Sequence, residues 1–250
     1  MAKNQNPMGE RAKRVQEALS GVDKKLAVMS GKGGVGKTTI AINLAAYLAK
    51  DKRVGLLDAD VDCPNVNKFL GINEPFGIEN GKITPIEKFG IKVVSFASLQ
   101  EREDEPIIWR GPMLSNAITE ILEKTRWGHL DYLVADLPPG TSDVALTIMQ
   151  ILKPDGMIVV TTPQKASVVD AKKSANMAKK LNVPVLGIIE NMGGDIFGEG
   201  GGEKAAEELG IDFLGRLGLS KVISRSGEEG KPFILDNGNR DFEAIVENLG

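Results

Sequence analysis

From Leu26 onward, short apolar runs alternate with longer segments whose apolar positions recur every three or four residues. The runs are 26–30 (LAVMS), 54–58 (VGLLD), 92–96 (KVVSF), 132–136 (YLVAD), 157–162 (MIVVTT) and 185–191 (VLGIIEN). They are rich in Val, Ile and Leu, as strands buried on both faces are. The longer segments, 37–50, 112–125, 143–152, 165–181, 203–209 and 240–249, read as helices. Strand and helix in alternation predict an α/β fold, a mostly parallel, doubly wound sheet with helices on both faces. Pro112 sits where a helix can start, and Pro154 and Pro184 where helices must already have ended. Residues 71–90 contain turn dipeptides, including Asn80-Gly81, and read as a hairpin-like excursion between sheet strands. Residues 1–24 are polar, with weak helical spacing at Val15, Ala18, Leu19 and Val22. They read as an N-terminal arm whose one helix docks on a single domain, 25–250.

Composition narrows the function classes. The 250 residues carry 31 basic and 34 acidic side chains, a net charge of −3, with no basic stripe that stands out. A nucleic-acid partner is therefore not expected. No apolar stretch reaches 18 residues, and the first residues hold no apolar run, so neither a spanning helix nor a signal peptide is expected. The segment 240–249 puts Phe242, Ile245, Val246 and Leu249 on one face and Asp241, Glu243 and Glu247 on the other. An acidic polar face repels anionic lipid, so this helix should dock on the protein's own core, without stable membrane association. The one cysteine, Cys63, cannot alone make an intramolecular disulfide or a cluster site, and fits a reducing cytoplasm. The one histidine, His129, reads as a surface or loop residue.

The chemistry concentrates where the first strand ends. Gly31-Lys32-Gly33-Gly34-Val35-Gly36-Lys37-Thr38-Thr39 matches G-x-x-x-x-G-K-[ST] in full, between a strand and a helix. Glycines let consecutive backbone N–H groups turn toward a polyphosphate, and the helix N-terminus adds its dipole. Lys37 supplies a charge to the β- and γ-phosphates, and the Thr38 hydroxyl can ligate Mg²⁺. Strand 54–58 ends in Asp58-Ala59-Asp60, carboxylates that face the ligand crevice of a parallel sheet. Asp58 reads as a strand-end cap or loop orienter. Strand 132–136 ends in Asp136, placed to hold Mg²⁺ through water, before the stiff turn Pro138-Pro139-Gly140. Asp143 fits the N-cap of the helix that follows. The Gly-rich 198–202 stretch reads as a tight connection into helix 203–209.

The sequence KGGVGKTT resembles the deviant Walker A motif of the MinD/ParA/nitrogenase-iron-protein class. That resemblance implies that Lys32 reaches a partner's phosphates in a nucleotide-sandwich homodimer, and that Asp60 orients the attacking water. DLPPGTSD (136–143), IIWRGPM (107–113), TTPQ (161–164), IENM (189–192), DIFGEGGGEK (195–204) and EEGKPF (228–233) narrow the likeness. The chain resembles the Mrp/ApbC group of P-loop ATPases, known as iron–sulfur cluster carriers. The group implies slow ATP hydrolysis by Lys32, Lys37 and Asp60, and nucleotide binding by residues 31–39, with Asn191 reading adenine. It implies a role in iron–sulfur cluster assembly or transfer and a client protein, an apoprotein or scaffold. A MinD/ParA-like ATP-switched positioning or regulatory ATPase without a cluster would share the same motifs; in that alternative the client differs. The likeness departs at one place. Carriers hold a Cys-x-x-Cys loop after IENM, where two chains share a [4Fe–4S] cluster. Here Met192 runs into Gly193-Gly194-Asp195 without either cysteine, which puts that cluster in doubt.

Overall fold

The computed structural model describes residues 7–99, 111–236 and 238–249. Residues 1–6 of the arm and 107–110 of IIWRGPM lie outside the described residues. Helix α1 (Pro7–Ala18) precedes strand β1 (Val22–Ser30) and helix α2 (Lys37–Leu48). Next come β2 (Val54–Asp58), a short α3 (Val66–Phe69), β3 (Gly77–Glu79), β4 (Lys82–Thr84), β5 (Ile86–Lys88) and β6 (Ile91–Ser95). Then α4 (Gly111–Lys124), β7 (Leu130–Asp136), α5 (Asp143–Leu152), β8 (Gly156–Thr161), α6 (Lys165–Lys180) and β9 (Val185–Gly193) follow in strict alternation. The chain continues through α7 (Gly201–Leu209), β10 (Phe213–Gly218), α8 (Lys221–Glu228) and α9 (Arg240–Glu247).

Eight strands form one sheet in the order β10-β9-β8-β1-β7-β2-β6-β5. All neighbours are parallel except β5, which closes the β6 edge antiparallel. One face packs on α1 and α4 through Val15, Leu19, Ile118 and Leu122, and on α6 and α7 through Ala171, Ala175 and Ala205. The other face packs on α2 through Ile40 and Leu44, and on the C-terminal segment through Phe233 and Phe242. Register decides where the site lies. Asp58 pairs with Asp136 across β2 and β7, and Val28 pairs with Asp136 across β1 and β7. The carboxyl ends of the three central strands therefore open into one crevice, the ligand position of an open α/β sheet.

Differences from the sequence reading have local causes. β1 begins at Val22, so Val22 is a strand residue, while Val15 and Leu19 of α1 are buried beneath α4 and α5. The apolar pattern misses Val22–Lys25 because Asp23 and Lys24 are exposed there. β10 was not expected, since its sequence FLGRLG holds two glycines and an arginine in six residues. The excursion is the hairpin β3–β4, turned by Asn80 (φ 51°) and Gly81 (φ 71°). Two successive positive φ values match a turn whose twist suits a hairpin. α9 does lie on the body: Phe242 and Ile245 are fully buried, and it packs against β10.

Candidate functional site

The glycine loop is held from three sides. Gly34 (φ 78°) and Gly36 (φ 85°) take left-handed backbone that other residues rarely adopt. A Cβ on Gly36 would lie 2.1 Å from Asn191 Nδ2. That amide donates to the Val35 carbonyl at 2.9 Å, so the end of β9 braces the loop. Gly31 is a glycine for a different reason. A Cβ there would sit 2.1 Å from the Asp170 carbonyl carbon, so the backbone of α6 leans directly on the loop. The third brace is the 138–140 turn, where the Gly140 N–H donates to the Ser30 carbonyl at 2.7 Å. The Ser30 hydroxyl in turn donates to the Lys32 carbonyl at 2.9 Å.

Beneath the loop lies a buried charge cluster. Lys37, 6% exposed, places Nζ 2.7 Å from Asp136 Oδ1 and 3.5 Å from Asp60 Oδ2. Burial opposes its charge, but Asp136 and Asp60 outweigh burial and hold the ammonium above its ordinary range. The Thr38 hydroxyl donates to Asp136 Oδ2 at 2.7 Å. With its proton so committed, the Thr38 oxygen has its lone pairs free for a cation. Asp60 is pushed up by burial, partly offset by Lys37. Its Oδ1 accepts from the Cys63 N–H at 3.3 Å.

Asp58 is fully buried and holds the loop that carries Asp60. Its Oδ1 accepts from the Asp60 N–H at 3.2 Å, and its Oδ2 from the Val66 N–H at 3.1 Å and the Ser95 hydroxyl at 2.7 Å. Burial, then the nearby Asp136 charge, pushes its carboxyl from 3.8 up to about 7. An acid whose folded value is raised binds its proton more tightly when folded. Its contribution to stability is therefore full at low pH and is lost as pH rises through that interval. Asp58→Asn does not titrate there. The stability of the unmodified protein relative to Asp58→Asn should fall as pH goes from 4 to 8, read as urea midpoints. A difference that is flat, or rises, would contradict this placement.

The crevice is a cavity of about 920 Å³, at the upper end of small-molecule sites. Gly33, Gly34, Gly36, Lys37, Thr38, Thr39, Asp60 and Asn191 all line it. Asp136 lies beneath, reached through Lys37 and Thr38. Gly31, Lys32 and Val35 do not line it: Gly31 packs on α6, Val35 is buried, and Lys32 is half-exposed. Cys63 is an exposed thiol at the mouth.

Several wall residues were not foreseen. Phe69 of α3 and Leu219, Ser220, Ile223 and Ser224 around α8 also line the cavity. The last four follow the unforeseen β10, and no fixed motif marks any of the five. Ser142 also lines the cavity, and it, not Asp143, is the N-cap of α5, its Oγ accepting from the Ala145 N–H at 3.4 Å. Asp143 is instead the first helical residue, where its charge still favours the dipole. The Gly-rich stretch is the tight connection expected, although α7 begins at Gly201. Glu190, fully buried, accepts there from the Gly200 N–H at 3.0 Å and the Gly202 N–H at 2.6 Å. The protein's own carboxylate thus takes the place a phosphate would need. The segment after β9 is a turn closed by Gly194–Gly198 hydrogen bonds, with Ile196 exposed. His129 is a half-exposed surface residue 4.0 Å from Asp23.

This geometry has counterparts. An iron–sulfur cluster carrier protein of Methanocaldococcus jannaschii is 46% identical over 94% of this chain and 87% of its own. One of Pseudomonas fragi is 42% identical over 92% and 85%. Among solved structures, the nucleotide-binding protein of Archaeoglobus fulgidus in complex with ADP superposes with a TM-score of 0.80 at 32% identity, covering 93% of this chain and 95% of that one. The Pyrococcus furiosus cell division ATPase MinD superposes at 0.70 with 21% identity, over 91% and 98%, a likeness of fold. The ParA model described as NUBPL iron-transfer P-loop NTPase matches residues 21–250, from the first strand through the last helix. The braced glycine loop, the Lys37–Asp136 pair beneath it and this match over nearly the whole chain assign it to that family of P-loop NTPases.

Proposed function

We propose that this chain binds and hydrolyses Mg-ATP, and that it does so as a homodimer acting in iron–sulfur cluster assembly or transfer. The observation that carries the reading is Lys37 buried between Asp136 and Asp60 under a glycine loop. A buried ammonium with two carboxylates is poised for a polyanion that shares its charge. Lys37 binds the β- and γ-phosphates, and the 33–36 backbone cradles them. Asp60 orients the attacking water, since phosphoryl transfer depends mainly on positioning and electrostatics. Asn191, which lines the cavity beside Gly36, reads the adenine edge with its Oδ1 and its second Nδ2 hydrogen, the first being donated to the Val35 carbonyl. Lys32, outside its own chain's cavity lining, serves the partner's phosphates. Thr38 and, through water, Asp136 would hold Mg²⁺, which neutralises charge on the β- and γ-oxygens.

The cargo reading rests on the relatives' names, and the cluster itself would be substrate. A four-thiolate site does not fit this chain, whose one thiol is Cys63. A homodimer supplies two thiols at most, so at least two of the cluster's ligands would come from the client. Among the described residues no helix is long and apolar enough to cross a membrane. A cytoplasmic setting suits the single free thiol. Phosphate release from Mg-ATP by the pure protein tests the enzymatic reading. The expected result is slow, magnesium-dependent release, faster with an iron–sulfur apoprotein present; release indistinguishable from buffer in both conditions would reject it.

A further inference from the structure

The two long walls of the cavity are joined at their outer ends. On one side α3 continues the loop from Asp60, and on the other α8 continues from the Leu219–Ser220 turn, which lines the same cavity. The ring of Phe69, the last residue of α3, meets Gly227 of α8 by one edge. A Cβ at Gly227 would fall 2.6 Å from both Cδ1 and Cε1 of the ring. Just beyond, Gly230 meets Gly71 so closely that a Cβ on Gly230 would lie 2.7 Å from the Gly71 Cα. Both glycines have positive φ, 61° and 69°, so the two chains turn away immediately after touching.

From this contact a continuous run of packed and bonded groups leads to Asp60. α3 starts at Val66, whose N–H is held by Asp58 Oδ2, and Asp58 Oδ1 holds the Asp60 N–H. Close-packed elements pass displacement on and do not absorb it. Ile223 and Ser224 of α8 line the cavity, so a base seated against them would bear on α8, on Phe69 and, through α3, on the Asp60 loop.

We infer that the Phe69–Gly227 contact is a latch that makes the position of Asp60 depend on occupation of the base end of the cavity. Phe69 lines the cavity and acts in this scheme as a positioning residue, through the loop that carries Asp60. The device gives the ATPase discrimination against phosphate chains that carry no base. It rests on the ATPase reading above.

The test compares phosphate release from Mg-ATP and from magnesium tripolyphosphate, the same phosphate chain without its nucleoside. The unmodified protein should turn over ATP at least tenfold faster, judged by kcat. Phe69→Ala, which removes the ring, and Gly227→Ala, which drives it off, should each cut that ratio at least fivefold, mainly through kcat for ATP. A role limited to stability would lower both substrates alike and leave the ratio standing, and that result overturns the latch. Phe69→Leu keeps an apolar contact and guards against unfolding of the other two. It should lower the ratio about twofold, and an unaltered ratio in this variant also overturns the inference. Equal turnover of both substrates by the unmodified protein overturns the latch and leaves the ATPase reading intact. No turnover of either overturns both.

Discussion

Replacing Lys37 by alanine should abolish nucleotide binding and destabilise the empty protein by about 3–5 kcal/mol at neutral pH, the range found when one partner of a buried ion pair is removed. The size follows from the neighbours. Asp58 and Asp136 are fully buried and Asp60 nearly so, and Lys37 is the cation that faces all three. At about 3 Å, with an effective dielectric near 20, one such pair is worth about 5 kcal/mol of attraction. Without Lys37 these carboxylates repel one another in a medium that solvates them poorly. They respond by taking up protons, so the deficit shrinks as pH falls. Urea denaturation of Lys37→Ala at pH 7.5 and pH 5.5 should therefore show a large gap from the unmodified protein that narrows at the lower pH. Equal stability at pH 7.5 would mean that the cluster is not coupled as described. A polyphosphate needs the same ammonium, so binding and stability should fail together in this variant.

Asp60→Asn has the second-largest effect, and on a different quantity. Turnover should fall by about 10²–10³, equivalent to roughly 3–4 kcal/mol of transition-state stabilisation. Affinity for Mg-ATP should hold or improve, because a negative charge near the phosphates is removed. That split is the signature of a group acting on the water and not on the ground-state nucleotide. The variant keeps the Asp60 N–H, and with it the bond to Asp58 that shapes the loop. Single-turnover phosphate release and equilibrium binding, measured on the same preparation, separate the two quantities. Turnover within threefold of the unmodified protein would show that another group positions the water.

The parts of this site that the sequence announced are those with a fixed spacing. Gly33 to Thr39 form a motif because backbone N–H groups, a lysine and a hydroxyl must meet at one phosphate. Asp58 and Asp136 end apolar runs, and the parallel register brings them side by side. Other parts depend on tertiary contacts that leave no local pattern. Gly31 looks like one more loop glycine, yet its lack of a side chain serves α6, about 140 residues away in the chain. Glu190 is a strand residue by sequence, and only the fold shows its carboxylate filling the turn into α7. β10 leaves no apolar pattern, because glycine and arginine interrupt FLGRLG, and the cavity wall at residues 219–224 that follows it carries no motif. The sequence places the α5 cap at Asp143, whereas Ser142 fills it, because a serine hydroxyl one residue earlier serves the same orphan N–H groups.

The central claim is that a magnesium-bound adenosine triphosphate occupies the trench above Lys37. Isothermal titration calorimetry of the pure protein with Mg-ATP, and separately with Mg-GTP, addresses it most directly. The account predicts saturable heat at one site per chain for Mg-ATP, weaker binding of Mg-GTP, and no heat of binding for Lys37→Ala. Absence of saturable heat with Mg-ATP, or the same isotherm from Lys37→Ala, would contradict it.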